Sequence, residues 1–259
     1  MILAHTINRV IPKKKEEKAV KTECYNRVVT EERFVEALSD IGLGIDATQL
    51  GLFSEYQRLL IAENTKYNLT SLTGAQEVYA KHFFDSLLVL ADRNLNGRLL
   101  DVGSGAGFPG IPLKIMRPEL EVMLCDPSIK KTRFMSKVIS ELQLEGIECI
   151  TARAEALAKT KRENYDYVLS RAVAPLAILS ELCLPLVRVN GEFGALKGPK
   201  ALDELAVAEK GIEVLGGEVE EVCTHYYQNQ KRINIWVAKV TETPMIFPRP
   251  YSRIRKQPL

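Results

Sequence analysis

The fold of this chain of 259 residues is decided by the stretch Leu100-Asp101-Val102-Gly103-Ser104-Gly105-Ala106-Gly107-Phe108-Pro109-Gly110. Its first residues are typical of the end of a buried strand, and the dense glycines that follow are typical of a loop that opens a helix. Glycine at 103, 105 and 107 permits positive φ and leaves no Cβ between the backbone and a ligand. Pro112 fits the first helical turn, where an amide hydrogen is not needed. The stretch therefore predicts a cofactor-binding loop.

Two classes of cofactor use such a loop. Residues 105–110 match the G-x-G-x-x-G pattern of dinucleotide-binding loops, which is a weak signal when it stands alone. Counted from the strand end, the spacing is Asp-x-Gly-x-Gly-x-Gly, with Asp101 two residues before the first glycine. A carboxylate beside the loop repels a pyrophosphate but favours the ammonium and sulfonium groups of S-adenosylmethionine. We therefore expect Gly103, Gly105 and Gly107 to bind S-adenosylmethionine.

A second acid supports a nucleoside ligand. The apolar run 122–125 ends at Asp126, about twenty residues after the loop, where a ribose-binding acid stands in either kind of fold. The alternative is a helix N-cap or an Asx turn in front of Pro127 and Ser128. Because the glycine loop precedes it, we favour the ribose role.

The composition indicates a soluble, cytoplasmic protein. The hydrophobic content of 46% is enough for one large core, or for a core with a small satellite domain. No apolar run approaches the ~20 residues of a membrane span, and the N-terminus lacks the pattern of a secretory signal. The five cysteines include no C-x-x-C pair, and the three histidines are scattered. This argues against a disulfide framework and against a metal site.

The net charge of +2 is unevenly distributed. Residues 1–30 carry seven Lys/Arg and three Glu, and residues 241–259 carry four Lys/Arg and one Glu, whereas the body between them has 24 basic and 29 acidic residues. We interpret 1–30 as a basic flexible arm and 241–259 as a basic C-terminal tail, both candidates for contact with nucleic-acid phosphates. The alternative is that both ends are merely solvated.

Between these ends the pattern predicts two regions. Residues 31–95 contain helical apolar stripes and predict an N-terminal helical cap, and in residues 96–240 strands and helices alternate. Such alternation predicts a Rossmann-like α/β fold, a mostly parallel sheet with helices on both faces. The last two strands follow each other closely, so we expect an antiparallel hairpin at the sheet edge. The expected strands are 98–102, 121–125, 148–151, 165–169, 192–196, 218–223 and 233–239, and the expected helices include 129–144, 176–187 and 201–215.

Three further positions lie where ligands bind in open α/β sheets. Arg171 follows the strand 165–169, and we expect it to point at the cofactor or the substrate rather than to join an ion pair. Glu155, after the third strand, lies where it could meet an adenine, although a first-turn helix acid is an equal alternative. Lys197 ends the fifth strand at a similar position.

A basic arc lies on the helix that begins at Ile129. Lys130, Arg133 and Lys137 fall together beside its apolar face. A solvated charged face is the ordinary interpretation, and a face that contacts phosphates is the more specific one. With Lys197, these residues are the candidates for contact with RNA.

On these motifs the chain resembles the bacterial family of ribosomal RNA small subunit methyltransferase G, also called glucose-inhibited division protein B. The resemblance runs from about Phe34 to the C-terminus, while residues 1–30 depart from the family pattern. It rests on Tyr67-Asn68-Leu69-Thr70-Ser71, His82 with Asp85-Ser86, the loop from Asp101 to Pro112, Lys131 with Arg133-Phe134, Ser170-Arg171-Ala172 and Ala195-Leu196-Lys197-Gly198.

The resemblance implies a class I methyltransferase that transfers a methyl group from S-adenosylmethionine to N7 of one guanine in the decoding-region loop of 16S rRNA. The implied partner is 16S rRNA, the small ribosomal subunit or an assembly intermediate, and a monomer is expected. Since guanine N7 carries a free lone pair, no general base is required, and placement of the reactants can supply the catalysis. We therefore expect no catalytic residue, and Arg171 is the candidate for positioning the reactants. The implied cofactor contacts are Gly103, Phe108, Asp126, Pro127, Ser128, Ala154, Glu155 and Arg171.

Three other functions are open on the sequence alone. The loop also suits an NAD-dependent oxidoreductase. A class I methyltransferase can act on another RNA, a protein or a small molecule, and an rRNA-binding assembly factor can retain a vestigial cofactor pocket.

Overall fold

The computed structural model describes residues 31–67, 75–227 and 230–259. The expected arm 1–30 and the motif residues 68–71 lie outside the described residues. The cap consists of helices before the first strand, as predicted: α1 (Glu31–Asp40), α2 (Ala47–Tyr67), α3 (Ala75–Val78), a π-helical turn (Tyr79–Phe84) and α4 (Asp85–Asp92). Within the described segments, no helix combines the length and the apolar character that a membrane span requires.

The sheet has seven strands in the order β3-β2-β1-β4-β5-β7-β6. Strands β1 to β5 are parallel, and β7 pairs antiparallel with both β5 and β6. The predicted Rossmann-like α/β fold with an antiparallel edge hairpin is confirmed. The strands are β1 (Arg98–Val102), β2 (Glu121–Asp126), β3 (Ile147–Thr151), β4 (Tyr165–Arg171), β5 (Val187–Lys197), β6 (Gly217–Tyr227) and β7 (Gln230–Lys239), and the helices are α5 (Gly110–Met116), α6 (Ile129–Glu141), α7 (Ala154–Leu157), α8 (Leu176–Cys183), α9 (Ala201–Val214) and α10 (Tyr251–Lys256).

The predicted boundary between α8 and β5 is wrong. The expected helix 176–187 ends at Cys183, and Pro185, which lacks an amide hydrogen, lies in the 3₁₀ turn Leu184–Leu186 that follows. Strand β5 begins at Val187, five residues before the predicted 192. A register irregularity between β4 and β5 separates the two parts of the strand, and Asn190 has φ 65° there. The Asn190-Gly191 pair is typical of a turn, so it concealed the first part of the strand.

Two apolar cores lie on opposite faces of the sheet. The first contains the cap side chains Phe34, Phe53 and Phe83 together with α5 and α6 residues such as Ile111 and Phe134. The second contains residues of α7, α8, α9 and α10. The cap therefore shares one core with the sheet and packs over the helices that follow β1 and β2.

Residues 241–259 are folded against the second face. Every residue of α8 is buried, because the C-terminal segment covers the side of the helix that faces away from the sheet. The buried carboxylate of Glu181 on α8 accepts hydrogen bonds from Nε and Nη2 of Arg249 at 2.8 and 2.5 Å, and Ile254 of α10 is fully buried. The alternative that this end is merely solvated is therefore wrong.

We predict that Arg249→Ala lowers the free energy of unfolding by about 3 kcal/mol, because it leaves the Glu181 carboxylate buried without its counter-charge. Urea denaturation at neutral pH measures the change. Arg253→Ala is the matched control, since Arg253 lies in the same segment with an exposed side chain, and it should change stability by less than ~0.5 kcal/mol. Equal losses in the two variants would contradict this role for the ion pair.

Candidate active site

The candidate site lies at the carboxyl edge of the parallel strands. Strand β1 pairs with β2 on one side and with β4 on the other, so the chain order of the sheet reverses beside β1. Ligands bind at such a reversal in open α/β folds, because the loops after neighbouring strands diverge there. The glycine loop, Asp126 and Arg171 follow these three strands and meet at this edge.

The glycine loop is held to the sheet by its own polar groups. The amide of Gly103 donates to the carbonyl oxygen of Cys125 at 2.7 Å, and the Ser104 hydroxyl donates to the carbonyl oxygen of Asp101 at 2.9 Å. The Asp101 carboxylate is fully buried beneath the loop, where Oδ2 accepts the Gly110 amide at 2.9 Å. Our interpretation that this carboxylate favours a cationic ligand directly is therefore wrong. It holds the loop to the start of α5.

The second oxygen of Asp101 lies buried without a hydrogen-bond partner among the described residues. Burial raises the pKa of Asp101 to about 7, since desolvation penalises the ionised form. The neutral acid and the carboxylate are thus close in free energy at physiological pH.

The three glycines of the loop have different roles. A Cβ at Gly103 would lie 2.3 Å from Cγ2 of Val173, and one at Gly107 would lie 2.4 Å from Cδ1 of Ile111. These two positions need glycine because neighbouring side chains fill the space. A Cβ at Gly105, which has φ 62°, would meet nothing nearer among the described atoms than the Gly103 carbonyl oxygen at 3.9 Å. Gly105 therefore faces the open side of the loop.

Asp126 is fixed next to Gly105. Its Oδ2 accepts the Gly105 amide at 3.0 Å, and its Oδ1 accepts the Ser128 amide at 2.9 Å. The second bond is the Asx turn that the sequence offered as the alternative to a ribose role. A carboxylate accepts about four hydrogen bonds, so both roles can coexist. Pro127 is exposed and Ser128 half-buried at the same edge.

An aromatic cluster connects the glycine loop to the cap. The Phe108 ring packs on the His82 ring, with centroids 4.5 Å apart and planes 8° apart, and on the Tyr56 ring at 5.5 Å. The Tyr56 hydroxyl donates to the Ala106 carbonyl oxygen at 2.5 Å. Phe108 is 5% exposed. The resemblance implies a cofactor contact at Phe108, but the structure places this side chain in the contact between loop and cap.

Arg171 is part of a buried ion pair, which corrects the expectation that it is free to point at a ligand. Its Nη1 donates to Asp85 Oδ2 at 2.9 Å, and Asp85 Oδ1 accepts Nε of Arg232 at 2.7 Å. The Arg171 guanidinium also lies 5.1 Å from the centroid of Phe108, and its side chain is 13% exposed. The cause is the cap, which brings the first residue of α4 over the end of β4. We therefore expect substitution of Arg171 to reduce stability as well as activity.

Lys197 is also buried, so its prediction as an RNA contact is wrong. Its Nζ lies 2.8 Å from Glu204 Oε2 and donates to the Ala174 carbonyl oxygen at 2.6 Å. Glu204 in turn accepts the Leu176 amide at 2.8 Å. This ion pair holds the loop between β4 and α8, in which Ala172 has the unusual φ of 57°.

The basic arc of α6 is exposed, as its spacing predicts. Lys130, Arg133 and Lys137 all have exposed side chains, and Lys137 lies 3.0 Å from Glu63 of α2. Glu155 is half-buried in α7, beside the buried Ala154. Among the residues that the structure describes, no group of three or more His, Cys, Asp or Glu could hold a metal ion.

Sequence reasoning missed two contributors to this site. Tyr56 belongs to an apolar helical stripe, which indicates a core residue, and nothing local shows that its hydroxyl reaches a loop fifty residues later. Asp85 was noted only as part of a family motif. Its two arginine partners are the last residue of β4 and a residue within β7, so the pairing cannot be inferred from spacing along the chain.

Comparison with known proteins identifies close relatives. The family model described as rRNA small subunit methyltransferase G matches residues 49–234. The enzyme of that name from Staphylococcus aureus (strain Newman) is 43% identical over 239 residues, covering 89% of this chain and 99% of the relative. Those from Pelotomaculum thermopropionicum and Oceanobacillus iheyensis are 43% and 40% identical, covering 89% and 88% of this chain and 99% and 98% of the relatives.

Solved structures share the fold at lower identity. A SAM dependent methyltransferase from Aquifex aeolicus aligns with a TM-score of 0.51 and 19% identity, covering 67% of this chain and 97% of that one. TrmN from Thermus thermophilus aligns with the same TM-score and identity, covering 71% of this chain and 53% of its own. These likenesses show the shared fold alone.

We predict that His82→Phe makes the stability of the protein less sensitive to acid. Burial lowers the pKa of His82 to about 4, and the Arg171 charge acts in the same direction. An unfolded histidine titrates near 6.5, so below that pH the unfolded state binds a proton that the folded state refuses, and stability falls. The wild type should lose about 2 kcal/mol between pH 7.5 and 5 through this group.

Phenylalanine preserves a ring against Phe108 but cannot be protonated. Urea denaturation of both proteins at the two pH values gives the comparison, in which the opposite contribution of Asp101 is common to both. An identical pH dependence in the two proteins would show that His82 is not held neutral.

Proposed function

This chain belongs to the rRNA small subunit methyltransferase G family. The family uses S-adenosylmethionine to methylate N7 of guanine 527 in 16S rRNA. We propose that this chain carries out the reaction at the carboxyl edge of the sheet, around Gly105. This location of the site is supported mainly by one observation: the open face of Gly105 lies next to the Asp126 carboxylate, which is fixed by hydrogen bonds. Neither an NAD-dependent oxidoreductase nor a vestigial assembly factor agrees with the family.

The residues at this edge fit S-adenosylmethionine. Among the described atoms, none lies nearer than 3.9 Å to a Cβ placed at Gly105, a position where the backbone can approach a ligand closely. Asp126 is 3% exposed, held by two backbone amides, and retains acceptor capacity for the hydroxyl groups of a ribose. We assign to the cofactor the backbone of Gly103, Gly105 and Gly107, together with Asp126, Pro127, Ser128, Ala154 and Glu155.

In this reaction the protein has to position the two reactants and does not have to transfer a proton. S-adenosylmethionine, when bound, supplies an electrophilic methyl group on a positively charged sulfur. Guanine N7 already carries an in-plane lone pair, so this chain must hold the base at the correct distance and angle, which can contribute ~7 to 11 kcal/mol. The Asp126 carboxylate lies at the edge where positive charge passes to the purine and can stabilise it.

We assign Arg171 a positioning role in this reaction. Its pair with Asp85 and its position over Phe108 fix the end of β4 against the glycine loop. A guanidinium held on a carboxylate keeps a planar face that a base can stack on. Arg171 is thus a rigid wall of the site as well as part of the structural ion pair.

The exposed arc of α6 is our first candidate for contact with the RNA. Helix α6 begins directly after Asp126, Pro127 and Ser128, so its first turn lies beside the cofactor position. Lys130 and Arg133 lie in its first two turns, and Lys137 is partly neutralised by Glu63. Phosphate contacts by such residues position an RNA without reading its sequence.

The wider assignment follows from this chemistry. We propose a monomer that acts in the cytoplasm on 16S rRNA within the small ribosomal subunit or an assembly intermediate. In this assignment, residues 31–95 form the cap, residues 96–240 form the methyltransferase domain and residues 241–259 complete its second face.

We predict that Gly105→Val lowers the affinity for S-adenosylmethionine at least tenfold while the protein stays folded, because the side chain would occupy the open face of the loop. Calorimetry measures the affinity. Mass spectrometry of 16S rRNA nucleosides, from cells in which the variant is the sole copy, should show loss of 7-methylguanosine.

Gly42→Val is the matched control. Gly42 also has a positive φ, 78°, and no described atom lies within 4 Å of its Cβ position, but it lies in the cap, two residues after α1. It carries the same backbone strain without facing the cofactor position, so the affinity should be unchanged. An undiminished affinity in folded Gly105→Val would remove the loop from the site.

We predict that the double substitution Lys130→Gln/Arg133→Gln weakens binding to 16S rRNA and flattens its salt dependence. Each lost phosphate contact should reduce the slope of log K against log salt by about 0.7 to 0.9. Filter binding over a range of salt concentrations measures the slope. Affinity for S-adenosylmethionine should not change, and an unaltered slope would exclude the α6 arc as an RNA contact.

A further inference from the structure

We propose that the folded C-terminal segment forms a second RNA-binding surface on the other side of the same sheet edge. This tail surface consists of Arg153, Lys159, Lys161, Arg253, Arg255 and Lys256, all of them exposed. The ligand is the phosphate backbone of the rRNA substrate, so the inference rests on the proposed function. It adds an interface that neither the glycine loop nor the α6 arc provides.

The segment is held rigidly, so its charges have fixed positions. Arg162 donates from Nη1 to the Phe247 carbonyl oxygen at 2.8 Å, and from Nη2 to the carbonyl oxygens of Thr243 and Pro244. Arg249 makes the bidentate pair with buried Glu181 and also donates to the Gln257 carbonyl oxygen at 3.1 Å. Preorganised side chains lose less conformational entropy when they bind a ligand than those of a flexible tail.

The charges of this segment are divided between structure and surface. From Thr243 to Leu259 the sequence contains four Lys/Arg and no Asp or Glu. Arg249 forms an ion pair with the buried Glu181. The other three, Arg253, Arg255 and Lys256 of α10, have exposed side chains. No carboxylate of the segment therefore competes with a phosphate for these three cations.

A contact at the start of α10 joins these cations to a second basic stretch. The Arg153 guanidinium lies 5.6 Å from the centroid of the Tyr251 ring. Arg153 directly precedes α7, and the chain then passes through the exposed Lys159 and Lys161. Glu155 is the one acid of this stretch. The contact therefore places the start of the second basic stretch beside the start of α10.

The tail surface lies on the face of the sheet opposite the α6 arc, and Arg153 is the member that lies at the carboxyl end of a strand. Helix α6 belongs to the first core and α7 to the second, so they cover opposite faces of the sheet next to β3. Strand β3 is an edge strand, and both helices begin at the carboxyl end of their preceding strand. The α6 arc and the tail surface thus lie on either side of the edge that carries the cofactor residues.

Electrostatics favours RNA as the occupant. The body of the chain, residues 31–240, has five more acidic than basic residues, so its net charge does not by itself attract a polyanion. Cations gathered next to the site offset that repulsion locally and orient the substrate before chemistry occurs. A folded acidic protein on the ribosomal particle could also fit the charge, and the test below separates the two.

The test compares two double variants that remove the same charge. Arg255→Gln/Lys256→Gln alters the tail surface. Lys200→Gln/Lys210→Gln is the control. Both lysines are exposed; Lys200 directly precedes α9 and Lys210 lies within it. Acidic residues lie near them along the chain, namely Asp203, Glu209 and Glu213. Filter binding to protein-free 16S rRNA, and in parallel to small-subunit particles, is measured over a range of salt concentrations. Melting temperature and S-adenosylmethionine affinity are the accompanying measurements.

We expect the tail variant to bind 16S rRNA about tenfold more weakly at low salt, with the slope reduced by about 1.5 for two lost phosphate contacts. The control should bind like the wild type, and neither variant should change melting temperature or cofactor affinity.

Three results would overturn the inference. Equal losses in both variants would mean that only net charge matters. Unchanged binding to protein-free rRNA, with a loss seen only on assembled particles, would indicate a protein partner. A lowered melting temperature with unchanged rRNA binding would indicate a structural role. A fourth result, failure of the wild type to bind 16S rRNA both as protein-free RNA and in small-subunit particles, would overturn this inference and the proposed function together. A binding defect confined to the tail variant supports both.

Discussion

The packing of Phe108 against His82 and Tyr56 is the contact on which the arrangement of the site depends. The glycine loop has almost no side chains of its own with which to bind the rest of the protein. Phe108 supplies one at the end of the loop, and the cap supplies the surface that receives it. Because cap and sheet share one core, the cap also brings Asp85 to the end of β4. A site that looks like a property of the sheet is therefore built jointly by two regions of the chain.

Buried ion pairs determine which charges are left for a substrate. Asp85 with its two arginines, Lys197 with Glu204, and Arg249 with Glu181 are all shielded from solvent. Pairs of this kind add little net stability, but removal of one partner is costly, so they fix geometry more than they strengthen the fold. Among the basic residues that stay exposed are those of the α6 arc and of α10 in the C-terminal segment. The division between buried and exposed cations thus separates the framework of the site from its outer surface.

The sequence predicted what local patterns encode. Alternating apolar runs identified the parallel sheet, and the glycines marked the loop, because both signals lie within short windows. Arg171 and Lys197 were placed at the correct strand ends, but their partners lie 86 and seven residues away on other elements. Burial of a cation depends on those partners. For the same reason the sequence did not predict that the C-terminal segment is folded. Arg249 of this segment is held by Glu181, which lies on α8, far away along the chain.

The π-helical turn Tyr79–Phe84 has a consequence for the phase of the cap helix. A π turn accommodates about one extra residue, and in an α-helix one residue corresponds to a rotation of about 100°. The side chains of α4, which follows the turn, are therefore rotated about the helix axis relative to where a regular α-helix would place them. Tyr79, at the start of the turn, packs on Phe34 and Phe83 in the aromatic core, whereas His82 packs on Phe108 of the glycine loop and Asp85 pairs with Arg171. Because of this rotation, one continuous helical segment contributes side chains both to the aromatic core and to the candidate active site.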